Sequence, residues 1–111
     1  MAFLKTRKIK FDKSASADVV SYNIRIVAAN TVFDYTLPAS NIKADSLPTT
    51  AGSATVAIDI ATLNNKPTQD GTYDVYITAA DAIGNESDPL AIKGATFDFT
   101  PPTAPTNASI V

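Results

Sequence analysis

Four oxygen-bearing side chains fall close together at Asp81, Asn85, Glu86 and Asp88, with Asp70 and Asp74 a little upstream. Hard oxygens in such number are what calcium takes, six to eight at a time. The spacing is not that of an EF-hand loop. The same residues also suit a tight turn around Gly84-Asn85, with one of the two in a left-handed backbone and the acids solvated around it. Both readings stand on the same residues, and the turn is the commoner use of Asp and Asn.

Other chemistry is excluded more firmly. The chain has no His and no Cys. Thiolate metal sites, disulfides and the usual nucleophilic triads are therefore absent. No motif supports a Ser–Lys pair. The glycines, at 52, 71, 84 and 94, are too far apart for a phosphate-binding loop. Ten of the eleven acids are Asp, placed mostly in loops or on outward strand positions. We expect no enzyme and no cofactor, since catalysis needs tuned groups converging in a cleft. Asn85-Glu86-Ser87 and Asn107-Ala108-Ser109 match the glycosylation acceptor pattern, a triplet frequent by chance, and receive no role.

The composition, 45% hydrophobic and 18% charged over 111 residues, fits one folded domain. The net charge of −2 is unevenly spread. Residues 1–13 hold five basic groups against Asp12, a balance of +4, and the remainder balances at −6. The basic run reads as an edge strand guarded by lysines, or as one end of a charge dipole that helps subunits meet head to tail. Nucleic-acid binding is not expected, because the rest of the chain is acidic. Nor is membrane insertion, because no segment approaches the ~18 apolar residues a span needs. The opening residues lack the apolar core of a signal peptide.

Short alternating segments must carry these residues. Seven prolines and many turn residues break the chain at close intervals, which disfavours long helices. Between the breaks, apolar residues recur at period two. Ile9 and Phe11 face inward in the first run, and Tyr22, Ile24 and Ile26 in the next. Val32–Leu37 offers Phe33, Tyr35 and Leu37. After a loop over 38–53, with a short strand near Ile42, residues 54–60 alternate with Val56, Ile58 and Ile60 inward. Tyr73, Val75, Ile77 and Ala79 form the longest run, and residues 90–99 close the set with a bulge or bend at Gly94. These six or seven strands predict an all-β fold, an antiparallel β-sandwich of about seven strands. Its outward face would set Asn23, Arg25 and Val27 beside Tyr76 and Thr78, with Asp74 near. An exposed Tyr beside Arg is suitable interface chemistry, although ordinary cross-strand pairing explains it as well.

The stretch Asp70-Gly71-Thr72-Tyr73-Asp74-Val75-Tyr76-Ile77-Thr78-Ala79-Ala80-Asp81-Ala82-Ile83-Gly84-Asn85-Glu86-Ser87 resembles the end of a bacterial fibronectin type III or immunoglobulin-like domain. Ile9-Lys10-Phe11, Lys13-Ser14 and residues 17–22 resemble that family's second strand, loop and third strand, with Phe11 where the family usually has Trp. The resemblance implies that Tyr73 is a tyrosine corner, its hydroxyl bonded to backbone a few residues upstream. It implies structural places for Phe11, Tyr22 and Gly84 as well. The integrin tripeptide Arg-Gly-Asp is absent.

Residues 1–99 then form the domain. Residues 100–111 resemble the proline-rich linker and first strand of a following domain, while only residues 1–6 are left for a first strand of its own. The 103–111 segment, ending in Ile110 and Val111, would belong to a next domain, fold back, or fill the slot of a neighbouring copy. Three functions follow as expectations. The first is a non-catalytic spacer module of a larger bacterial or phage protein, extracellular or at the cell surface. The second is a self-assembling subunit that uses the 103–111 strand. The third is an accessory module that binds carbohydrate or protein. The expected partners are protein: neighbouring domains of the same chain or copies of itself.

Overall fold

The computed structural model describes residues 8–47, 55–98, 104–107 and 109–110. They form six antiparallel strands: β1 (Lys8–Asp12), β2 (Val19–Ala28), β3 (Ser40–Lys43), β4 (Thr55–Asp59), β5 (Gly71–Asp81) and β6 (Leu90–Phe97). Single 3-10 turns follow β3 and β4, at Ala44–Ser46 and Ile60–Thr62. No described helix is long and apolar enough to cross a membrane. One sheet pairs β1 with β4; the other has the order β3-β2-β5-β6.

Both sheets feed one core, and the alternation explains why. Ile9 and Phe11 from β1 and Val56 and Ile58 from β4 point to the same interior as Tyr22, Ile24, Val75, Ile77 and Phe97 from the larger sheet. The intervening Lys8 and Lys10 are exposed. Phe11 stacks at a tilt on Tyr22, with ring centroids 5.2 Å apart. The Tyr22 hydroxyl stays satisfied by accepting from the Ser14 amide at 2.9 Å. Leu47 and Leu63, which end the two 3-10 turns, also reach the core. Neither belongs to an alternating run, so periodicity did not reveal them.

Tyr73 lies half-buried on β5 and donates its hydroxyl to the Gln69 carbonyl, four residues upstream, at 2.9 Å. Its ring meets Phe97 edge-on at 5.5 Å. At Lys93-Gly94 the β5–β6 register slips, with Tyr73 opposite Ala95 but Val75 opposite Ile92. Gly94 takes φ 71°, the left-handed conformation in which a bulge favours glycine.

One expected strand is absent. Residues 32–37 form no ladder. Asn30 turns the chain with φ 67°, and Thr31 N–H bonds back to Ala28 O. The Asp34 carboxylate then accepts from the amide and hydroxyl of Thr36, while Leu37 N–H reaches Asp34 O. A backbone turn at Asn30 and a side-chain-driven turn at Asp34 therefore override the alternation of Phe33, Tyr35 and Leu37. The segment 29–39 instead crosses the outer face of the larger sheet as a strap. Residues 1–6, all that is left for a first strand, lie outside the described residues, as do Val111 and the prolines at 101 and 102.

Candidate functional site

The strap and the sheet beneath it hold the most concentrated polar chemistry in the described residues. The register sets Asn23 opposite Thr78, Arg25 opposite Tyr76 and Val27 opposite Asp74 on the outer face. That face was expected in water, but the strap covers it. Arg25, Asp74 and Tyr76 are only 3%, 2% and 4% exposed. Asp74 through Thr78 are all buried, so the centre of β5 is enclosed on both faces.

Arg25 anchors one end. Its Nη1 and Nη2 meet the Glu86 oxygens Oε1 and Oε2 at 2.9 and 3.3 Å, a two-pronged pair. Its Nε donates to Leu37 O at 3.1 Å and its Nη2 to Tyr35 O at 3.0 Å, which ties the strap down. The Phe33 ring lies 5.5 Å from the guanidinium carbon. Glu86 also accepts from Thr78 Oγ1 at 2.6 Å and Asn23 Nδ2 at 2.9 Å. Burial pushes the Glu86 carboxyl up, but the bonds from Arg25, Thr78 and Asn23 outweigh it and hold the group below its ordinary value.

Asp74 anchors the other end. It accepts from the Gly94 amide at 3.0 Å, the Asn30 amide at 2.9 Å and Lys93 Nζ at 3.1 Å. The Gly94 amide bond, foremost, holds its carboxyl below the ordinary value, with Lys93 and Asn30 adding to the effect. Lys93 Nζ also donates to the Tyr76 hydroxyl at 2.6 Å, and that hydroxyl donates to Thr31 O in the strap at 2.9 Å. The bulge at Gly94 therefore aims an amide and an ammonium at one buried carboxylate.

The proposed calcium ligands do not converge. Asp81 spends its oxygens on the Ile83 amide, the Asn85 amide and Asn85 Nδ2, at 2.9–3.1 Å. The Asn85 side chain is the main cause holding its carboxyl below the ordinary value. Glu86 points the other way, into Arg25, and Asp88 is exposed. Gly84, at φ 93°, supplies the left-handed residue of this turn. Among the described residues no group of three or more acidic side chains is placed to hold a metal ion.

The Arg25–Glu86 pair was the feature least visible in the sequence. Arg25 alternates out of the apolar row of Tyr22, Ile24 and Ile26, so local spacing marks it as an ordinary outward charge. Asn65 was missed too; its Nδ2 donates to Ile24 O at 2.9 Å. Ile110, in the expected exchange strand, is fully exposed, and the described residues of that tail form no strand. No family model matches the chain, and neither a curated protein nor a solved structure matches it.

Proposed function

We propose that this chain is a non-catalytic structural module of the fibronectin type III or immunoglobulin-like sandwich kind, a rigid spacer in a larger bacterial or phage surface protein. The observation that supports it most is how the polar groups are used. The buried charges bind strap to sheet, and no buried side-chain polar atom among the described residues lacks a partner. Fully satisfied networks of this kind rigidify a fold and hold it in one conformation, which is what a spacer requires. The test is to place the chain between two fluorescent domains. Single-molecule energy transfer is expected to give one narrow separation; a broad distribution would sink the spacer reading.

A second reading, a self-assembling subunit that uses the C-terminal segment, draws on the exposure of that segment. Ala104 to Asn107, Ser109 and Ile110 are all exposed. Light scattering over a concentration series separates the two, with constant mass for a spacer and rising mass for a subunit. The third expectation, carbohydrate or protein binding through loops or the Arg25–Tyr76 face, loses the second of those supports beneath the strap.

A further inference from the structure

We infer that the outer edge of β1 is an acceptor for the 104–110 segment of a second copy, which docks antiparallel and joins copies head to tail. This rests on the self-assembly reading and gives it a site, a direction and a symmetry.

Among the described residues β1 pairs with β4 alone, which leaves its other edge without a ladder. Unpaired edges are templates for an added strand. A groove sets β4 beside β3, lined by Ala57, Ile58, Asn41 and Ile42. The open edge of β1 therefore faces the β6 side. There a cleft of about 140 Å³ opens between the sheets, lined by apolar Phe11, Ile77 and Leu90 and also by polar residues, Ser14, Ser87 and Asp88 among them. Leu90 is 54% exposed at its mouth. An added strand would cover Leu90 and lower an apolar side chain into the cleft.

The tail has suitable chemistry. Residues 99–111 carry no charged side chain, so they meet no repulsion from Lys8 and Lys10. Ala104, Thr106, Ala108 and Ile110 recur at period two, small residues ending in one large apolar residue. Asn107 has φ 58° in the free chain and would move to the extended region on docking. The five residues of β1 span roughly 16 Å, which a segment of this length covers.

Direction chooses a second copy over the chain's own tail. The cleft places the Asp12 end of β1 beside Leu90, where β6 begins. Hence β6 runs opposite to β1, and the chain leaves it at Phe97, at the Lys8 end. An antiparallel partner of β1 must enter at the Asp12 end. From Phe97 to Ala104 the chain can stretch about 24 Å. The climb back alongside the eight residues of β6 takes nearly all of that, with nothing left for the reversal. A tail that simply continues in the direction of β6 reaches the Asp12 end of a copy stacked beyond it, already antiparallel to that copy's β1. The contact joins two different surfaces, so it does not close and builds an open chain of modules.

The test uses the full chain with amide exchange and sedimentation over a concentration series, and a synthetic peptide of residues 103–111. Average mass is expected to rise with concentration, protection of the Lys8–Asp12 amides to rise with it, and the peptide to cap growth. Ile110→Asp, at a fully exposed position, is expected to keep the fold and weaken association roughly tenfold or more. Growth that neither protects β1 nor yields to the peptide would leave self-assembly standing and overturn this acceptor. A constant mass with no peptide binding overturns both. Protection of β1 that is independent of concentration and lost on deleting residues 100–111 places the tail in its own slot, and overturns the two-copy contact.

Discussion

Replacing Glu86 with Gln removes one charge and changes little else in shape. Arg25 would remain only 3% exposed, with two backbone carbonyls and Thr78 as its partners. Breaking a buried pair from one side costs about 3–5 kcal/mol, and the partial exposure of Glu86, at 16%, argues for the lower end, about 3 kcal/mol. With a urea slope of roughly 1.5 kcal/mol per molar, the unfolding midpoint should fall by roughly 2 M. A domain of ordinary stability survives that loss, so Glu86→Gln should still fold. Adding Arg25→Met removes the orphaned charge, and the double variant is expected to recover at least part of the midpoint. The pH dependence follows from the same pair. The Glu86 carboxyl is lowered in the folded state, so the unfolded chain takes up its proton first. The contribution is full above the ordinary value of 4.5 and fades as the pH falls below it. Glu86→Gln should flatten that part of the acid profile. A loss under about 1 kcal/mol, the size of an exposed pair, together with an unchanged acid limb, would refute the view that this pair pins the strap.

Tyr73→Phe deletes the hydroxyl that reaches Gln69 O and should cost about 1 kcal/mol, read as a lower thermal midpoint. Gly94→Ala finds open space but must hold a left-handed backbone, at a cost of about 1–2 kcal/mol in urea unfolding. Calcium titration by calorimetry is expected to release no heat, since Asp81 and Glu86 point their oxygens at different partners; a saturable heat would reopen that site.

The core rows of β1, β2 and β5 were legible because alternation alone decides which side chains share a face, and Ile9, Phe11, Ile24, Val75 and Ile77 obey it. The alignment of Arg25 with Tyr76 was legible for the same reason. What covered that alignment was not. Periodicity reports two faces and is silent on whether a later loop lies across one of them. At 32–37 the pattern misled, because the Asp34 and Asn30 turns are local hydrogen-bond choices that outbid a ladder. Glu86 looked like a loop acid because its counter-ion lies 61 positions away in the chain. Pairings of that range leave no trace in local spacing.

The strap also sets an order of events during synthesis. It leaves the ribosome well before β5 and the turn that carries Glu86, so its seat does not yet exist. Until then the Arg25 guanidinium lacks its Glu86 partner and Phe33 the Tyr76 ring it lies on. The first half of the chain therefore cannot seat the strap by itself, and the Asn30 amide, which needs Asp74, should gain its protection only after the second half has emerged.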